Sequence, residues 1–331
     1  MLTHREWELF ANIIETPWPA VNNEREAWLR AERARSRAAE SETLTIAVML
    51  AGSALWGLFW LPLRLLEEAG LAGLWAIILI YTGATAALLF LARRVLRALK
   101  RFAAALLGIG LSGAVSGIAF SVGVIEGEVA RVLILFYLAP VWSVFLAHQV
   151  LRETLAPVTI PALLAALAGA AMMLVSGAES EILHFGLADL LGLIAGLAFA
   201  VTNVQLRAAR DLPAPLKNLA ACYLVPPVGV ALALGLDVPL AGAPVAIVGS
   251  LLLGVVWMTA MIAAVQYGVS RLPLQRSSVL LLFELVVGAV SAAMLAGETL
   301  GLWEVLGGLC IIAAGLAVAR RRGPIIEEAE H

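Results

Sequence analysis

From residue 44 onward, apolar residues form long runs that are separated by short polar breaks. About 20 apolar residues, rising ~1.5 Å each in a helix, cross the ~30 Å hydrocarbon core of a bilayer. The pattern predicts ten membrane spans, over residues 44–63, 71–92, 103–124, 132–151, 158–176, 185–206, 217–236, 244–267, 277–296 and 301–319. The predicted fold class is therefore an all-α polytopic membrane protein.

Composition agrees with this pattern and removes several classes of function. The 331 residues are 62% hydrophobic and only 14% charged, so a soluble surface could not be built from them. The net charge of -2 gives no reason to expect a nucleic-acid partner. Cys222 and Cys310 both fall inside predicted spans, where neither a disulfide framework nor a metal site is indicated. We expect no cofactor and no metal.

The positions of Lys and Arg predict the orientation, because cytoplasmic loops of membrane proteins retain an excess of them. Breaks such as "RRVLRALKR" (93–101) and "RAARDLPAPLK" (207–217) fall on one side if ten spans are threaded with both termini cytoplasmic. In that arrangement only Arg64 and Arg131 fall outside. The chain then begins with a polar cytoplasmic extension, residues 1–43, and ends with a short cytoplasmic tail, residues 320–331. If helical, the extension would place Trp7, Phe10, Ile13 and Ile14 against the inner leaflet.

An internal repeat divides the membrane part into two halves. "GVIEGEVARVLIL" (123–135) aligns with "GVSRLPLQRSSVL" (268–280), and at the same offset of 145 residues "LRETL" (151–155) falls on "AGETL" (296–300). "AGSALWGLFWLPLR" (51–64) also resembles "AGLAFAVTNVQLR" (195–207). The halves, residues 44–176 and 177–319, hold five spans each, so the second enters the membrane from the opposite side. Inverted repeats of this kind are typical of secondary carriers.

These features resemble the ten-span EamA-type members of the drug/metabolite transporter superfamily. The residues that carry the resemblance are "SALWG" in span 1, "LFYLAPVWSVFLAHQVLRETL" in spans 4–5 and "LLFELVVGAVSAAMLAGETLGLWEVLGGLCIIAAG" in spans 9–10. The resemblance implies a carrier in the plasma (bacterial inner) membrane, often an exporter, with spans 1, 3, 4, 6, 8 and 9 around a central cavity. Two features depart from the family pattern. Span 4 has its proline, Pro140, but span 9 has none, and the N-terminal extension is long.

Glu284 is the strongest candidate for chemistry, because it is a carboxyl group about seven residues, or roughly 10–12 Å, into predicted span 9. Ser277, Glu284 and Ser291 recur every seven residues and form a narrow stripe that should face the bundle interior. No Lys or Arg lies deep in another predicted span. Glu284 is therefore either protonated, or exchanges a proton for a cation or amine. The alternative is a neutral glutamic acid that is hydrogen-bonded to a carbonyl group or a serine.

A second set of candidates would line a cavity. Its aromatic members are Trp56, Tyr137 and Trp257, and its polar members are Asn203, Ser291, Ser112, Ser116 and Gln266. Packing against lipid is the alternative for the two tryptophans. Trp60, Trp75 and Trp303 fit an interfacial belt better.

Charged residues at the ends of spans form a third set. Arg131 and Arg276 are gate candidates by their matching positions, although snorkelling to lipid headgroups is the more ordinary role. Glu153 and Glu298 are expected to be interfacial carboxylates that contact neighbouring backbone. Asp189 is expected to match the helix dipole at the start of span 6.

The predicted function is secondary transport of a small-molecule substrate, most simply export of an amino acid, amine or similar solute by alternating access with proton coupling or exchange. A lipid flippase and a non-transporting scaffold on the same fold are the alternatives. An intramembrane enzyme is disfavoured, because His148 is the only histidine in a predicted span and all three Asp residues lie at ends or in loops. The lipid bilayer is the other expected partner, and a homodimer is left open.

Overall fold

The chain is seen here as a computed structural model that describes residues 42–71, 73–127, 129–153, 157–175, 186–295 and 301–320. Regular structure in these ranges is entirely helical. Nine of the described helices are long and apolar enough to cross a membrane. The protein is therefore an all-helical, multi-pass membrane protein, as predicted. Most of the N-terminal extension, the C-terminal tail and Glu298 lie outside the described residues.

Ten apolar helices follow one another along the chain, each over a predicted span. They are α1 (Glu42–Glu68), α2 (Gly73–Ala92), α3 (Ala103–Val124), α4 (Val132–Leu151), α5 (Thr159–Val175), α6 (Leu187–Ala208), α7 (Ala214–Gly235), α8 (Pro244–Arg271), α9 (Leu274–Leu295) and α10 (Leu302–Ala319). Helix α5 has 17 residues and is the shortest.

Helices α4 and α9 are interrupted near their middles. In α4 a turn at residues 137–138 separates Val129–Phe136 from Ala139–Leu151, and Pro140 lies in the first turn of the second segment. In α9 a single non-helical residue, Leu282, separates Leu274–Leu281 from Phe283–Leu295, without a proline. Each interruption leaves backbone groups without their usual intrahelical partners.

Helices α1, α7 and α8 are also irregular. A turn interrupts α1 at residues 58–59, and another interrupts α7 at residues 221–224. Helix α8 widens into a π-helical turn over Gly254–Met258. Such π turns are often found beside functional sites.

The two sequence halves interleave. The most extensive pairings are α3 with α6, α5 with α10, α4 with α6, and α2 with α7 and α8, and each joins a helix of the first half to one of the second. Glycines allow some of these pairings. A side chain on Gly169 of α5 would overlap the carbonyl oxygen of Gly307 in α10, and one on Gly307 would overlap Gly169. Small residues bring membrane helices this close, since lipid supplies no hydrophobic drive for their association.

Candidate functional site

Glu284 lies closer to the middle of the membrane part than the sequence indicated. Helix α9 begins at Leu274, three residues earlier than predicted, and has 22 residues. Glu284 is therefore about ten residues, or ~15 Å, from its start. If α9 crosses the bilayer from Leu274, this is half of the ~30 Å hydrocarbon thickness, the depth at which secondary carriers hold their substrates.

The carboxyl group of Glu284 meets the interruption in α4. The Tyr137 hydroxyl donates a hydrogen bond of 2.8 Å to Glu284 Oε1. Tyr137 is the first residue of the α4 turn, and Glu284 is the second residue of the helical segment that follows the α9 interruption. The start of a helix carries partial positive charge, which favours a carboxylate there. The two helix interruptions are thus joined through a predicted site residue on each.

Helix α1 covers the other side of Glu284. A side chain on Gly57 would overlap the Glu284 carbonyl oxygen and lie 2.9 Å from the Gly288 nitrogen, so only glycine permits this approach. One turn further along, the Trp60 indole N–H donates to Ser291 Oγ at 2.9 Å. The polar end of Trp60 therefore binds a neighbouring helix, and its place in an interfacial belt stays a prediction. In the predicted stripe on α9, Ser277 and Ser291 are buried and the Glu284 side chain contacts α4, so the stripe faces the bundle interior.

Aromatic rings lie beside the Tyr137–Glu284 contact. Phe136 packs 4.9 Å from Phe120 of α3, 5.6 Å from Phe199 of α6 and 5.6 Å from Tyr137, measured between ring centroids. The phenol that binds the carboxyl group thus packs against Phe136, which belongs to a cluster of three phenylalanines. Faces of aromatic rings attract cations and exclude water.

No cation neutralises Glu284 within the described residues, where its recorded polar contact is the Tyr137 hydroxyl. The described residues also contain no group of three His, Cys, Asp or Glu side chains that could hold a metal ion. Glu284 can exist in two forms there. It can be neutral, or it can be ionised with a mobile cation nearby.

The two predicted tryptophans pack beside this region. Trp257 lies in the π turn of α8, and its indole N–H donates 3.1 Å to the Leu55 carbonyl of α1. The Phe59 amide bonds to Trp56 instead of Leu55, so the α1 turn leaves the Leu55 carbonyl available. Trp56 packs edge-on against Phe59 at 6.0 Å. Both tryptophans belong to the apolar core in this conformation.

Most of the predicted polar residues connect helices. The Ser116 hydroxyl of α3 donates a hydrogen bond of 3.0 Å to the Ala195 carbonyl of α6. The Thr202 hydroxyl of α6 donates one of 2.8 Å to the Ser112 hydroxyl of α3. Asn203 and Gln266 are buried, and Gln266 Oε1 accepts no hydrogen bond from the described residues.

Among the charged residues at helix ends, Arg276 departs from its more ordinary role and Asp189 keeps its expected one. Arg276 is buried and donates 3.2 Å to the carbonyl of Ala319 at the end of α10, so it does not snorkel to headgroups. Arg131 lies in a described helix, but its side chain is outside the described part. Asp189 accepts from the Gly186 amide at 2.8 Å and caps α6.

Sequence reasoning missed a buried ion pair at one end of the bundle. Arg207 Nε lies 3.2 Å from Glu153 Oε1, and the two side chains are 3% and 16% exposed. The sequence treated Arg207 as a loop cation and Glu153 as a carboxylate at a helix end. One signal was present: the ends of α4 and α6 are predicted on the same membrane face, which brings these opposite charges to one level.

The clearest cavities do not include the predicted site. The larger, about 340 Å³, is lined by apolar residues of α3 and α7 and by Leu99, and the smaller, about 100 Å³, lies between α1, α9 and α10. Neither is lined by Glu284 or Tyr137. In this conformation Glu284 is half-buried.

Comparison with known proteins gives a fold and no family. No protein-family model matches the chain, and no curated protein matches it. A solved structure described only as "Crystal structure of protein" superposes with a TM-score of 0.69, over 83% of this chain and 98% of that one. The two share 16% sequence identity, so the likeness extends to the fold alone.

Proposed function

We propose that this protein is a secondary transporter that exports a small amine-bearing metabolite by alternating access, with Glu284 exchanging substrate for a proton. The observation that carries the proposal is the Tyr137–Glu284 contact, which joins two interrupted helices at mid-membrane depth. Ionisable groups inside membrane spans are costly and usually functional. Interrupted helices around such a group are a common way for carriers to form a midplane site.

The helix pairings support an inverted-repeat carrier. At the repeat offset found in the sequence, Tyr137 corresponds to Leu282, so the interruptions of α4 and α9 fall at matching positions. Counterpart helices also pack together, as in α4 with α9 and α5 with α10. Because the sequence halves interleave, we propose that mixed groups of helices move, and not each half as one rigid body.

The chemistry follows from the carboxyl group of Glu284, which no cation neutralises among the described residues. An ammonium group and a proton compete for Glu284. Either one neutralises the carboxylate, which lowers the cost of enclosing it in the apolar bundle while the helices rearrange. The empty ionised site is the costly state. Exchange of an amine for a proton is therefore favoured over movement of the empty site. Lowering the pH on the side where the amine binds should slow amine binding, because protons compete for Glu284.

Transport in proteoliposomes tests this proposal directly. We expect the wild type to catalyse counterflow of at least one labelled amino acid or amine and to respond to pH. Glu284→Gln should lower the rate by about 10- to 100-fold, since a charged hydrogen bond contributes ~1.5–3 kcal/mol. Any residual rate should be independent of pH. Tyr137→Phe retains the carboxyl group and should keep the pH dependence with weaker binding.

Glu68→Gln is the matched control, because it makes the same chemical change at an exposed carboxylate of α1. Unchanged transport and pH response in Glu284→Gln would make Glu284 a structural hydrogen-bonding group. Labelled lipid in the same vesicles distinguishes the alternatives. A flippase moves the lipid, and a scaffold moves neither lipid nor solute.

A further inference from the structure

The Glu153–Arg207 pair connects four helices at one end of the bundle. Arg207, near the end of α6, contacts Glu153 just after α4 and donates 2.6 Å to the Ser270 carbonyl near the end of α8. The other oxygen of Glu153 accepts from the Leu274 amide, the first residue of α9, at 3.1 Å. Glu153 and Arg207 come from different sequence halves. One ion pair thus holds together helices that belong to both.

A left-handed turn at Arg152, directly after α4, brings Glu153 to this position. Arg152 has the left-handed φ of 55°, and the Glu153 amide reaches back to the Ala147 carbonyl at 3.2 Å, so α4 ends in a left-handed turn. Glycine is the usual residue at this position, and a left-handed L-residue costs roughly 1–2 kcal/mol. Backbone strain of this kind is characteristic of functional positions.

Two buried amide side chains lie one turn inward from the pair. Asn203 precedes Arg207 by one helical turn, and Gln266 precedes Ser270 by one turn, so each lies on the same helix face one layer deeper. Both are buried, and the Gln266 oxygen accepts no hydrogen bond within the described chain. Glu284 is about ten residues, or ~15 Å, along α9 from Leu274.

The opposite end of the repeat is arranged differently. In the repeat alignment the counterpart of Arg207 is Arg64 of α1. Arg64 is 57% exposed and pairs with Glu68 one turn away on its own helix, which joins no other element. The repeat therefore has an arginine that ties helices together at one end and one that does not at the other.

We propose that Glu153 and Arg207 form an ion-pair lock that closes the α4/α6/α8 end of the bundle, and that the lock must open for the Glu284 site to reach the solution on that side. By the Lys and Arg distribution this side is the cytoplasm. The proposal rests on the proposed transport function and names its gate. Breaking a buried pair leaves an uncompensated charge, so the closed end stays shut until water or substrate can solvate Arg207.

Chemical labelling tests the lock without needing a substrate. The reporter is Asn203→Cys, a position 3% exposed one turn below Arg207, in a chain that also carries Cys222→Ser and Cys310→Ala. A membrane-impermeant maleimide is added to inside-out and to right-side-out vesicles. We expect slow labelling with the lock intact. Glu153→Gln keeps an acceptor for the Leu274 amide but removes the charge, and should speed labelling from the lock side about tenfold.

Two comparisons separate a lock from general loosening. Arg207→Gln should raise the rate at least as much as Glu153→Gln, because it also removes the contact with Ser270. The double variant should add little to Arg207→Gln, because each single variant already removes the ion pair. The control Arg64→Gln removes an exposed arginine and should leave the rate unchanged. Additive effects, an equal rise in Arg64→Gln, or no rise in folded variants would each overturn the lock.

Folding is checked by a cooperative melt in detergent. If Glu153→Gln does not fold, Glu153→Asp replaces it, since the shorter acid keeps the charge and stretches the pair, and an intermediate rate is then expected. An unchanged rate in folded Glu153→Asp would count against the lock. Faster labelling in a protein that transports nothing would support the lock and refute the carrier. Normal transport with an unaltered labelling rate would support the carrier and refute the lock.

Discussion

At the scale of single residues, two carboxyl groups show how surroundings assign different roles. Glu153 has a guanidinium and a backbone amide as partners, so its charge is compensated and it can hold helices together. Glu284 has a phenol and a helix start but no cation among the described residues. An ionised carboxylate there lacks a full partner. The surroundings of Glu153 suit a structural contact that forms or breaks as a whole. The surroundings of Glu284 suit a binding site that holds a proton at one time and a cation at another.

Gly57 should be indispensable to the packing around Glu284. In Gly57→Ala the new methyl group would meet the backbone of α9 at Glu284 and Gly288, and backbone cannot rotate away as a side chain can. We expect a loss of about 1–3 kcal/mol in stability. A lower midpoint of thermal unfolding in detergent would show it.

Gly235→Ala is the control for this prediction. Gly235 ends the second helical segment of α7, and nothing lies within 4 Å of a side chain placed there. Alanine should be neutral or raise stability by up to ~1 kcal/mol, since it restricts the unfolded chain. Equal losses in both variants would mean that Gly57 is not specially crowded.

At the scale of helices, the positions of spans could be predicted and their interruptions could not. Hydropathy placed α9 to within a few residues, because every residue of a span contributes to the signal. Pro140 gave a reason for α4 to break, but the sequence around Leu282 gave none. Helices α1 and α4 pack beside that interruption, and a single sequence does not show which helices are neighbours.

The candidate site divides in the same way. Glu284 stood out because a carboxyl group in an apolar run is unusual by itself. Its partner Tyr137 and the Trp60–Ser291 contact depend on which helices are neighbours. The Glu153–Arg207 pair was missed for that reason, since its members are 54 residues apart. Pairwise contacts across the bundle are the part that local pattern does not reveal.

The strained turn after α4 predicts an effect on stability. Arg152→Gly should relieve the left-handed backbone conformation and raise the free energy of unfolding by about 0.5–1 kcal/mol. Arg152→Ala also removes the exposed side chain but keeps a Cβ, so it should give no such gain. Thermal unfolding of the two purified variants measures the difference. If glycine and alanine behave alike, the turn is not strained by its side chain.

At the scale of the whole molecule, the lock also bears on topology. The ends of α4 and α6 meet at Glu153 and Arg207, so these two helices run in the same direction through the bundle. Helix α4 therefore ends on one face of the bundle and α6 begins on the opposite face. The segment between them must cross the bundle to connect the two. Helix α5, with 17 residues, or ~25 Å, is the described helix in that interval. A crossing by α5 would make ten crossings in all, although α5 is short for a span.

Single cysteines can decide the number of crossings, because one uncrossed helix reverses everything that follows it. Arg97→Cys lies between α2 and α3, and Asp211→Cys lies between α6 and α7, both at exposed positions. With Cys222 and Cys310 replaced, ten crossings put both reporters on the cytoplasmic side, where an impermeant maleimide labels them in inside-out vesicles. Ala241→Cys, between α7 and α8, should be labelled only in right-side-out vesicles. If α5 fails to cross, Asp211→Cys and Arg97→Cys will label from opposite sides, and the inverted repeat proposed for the carrier fails with them.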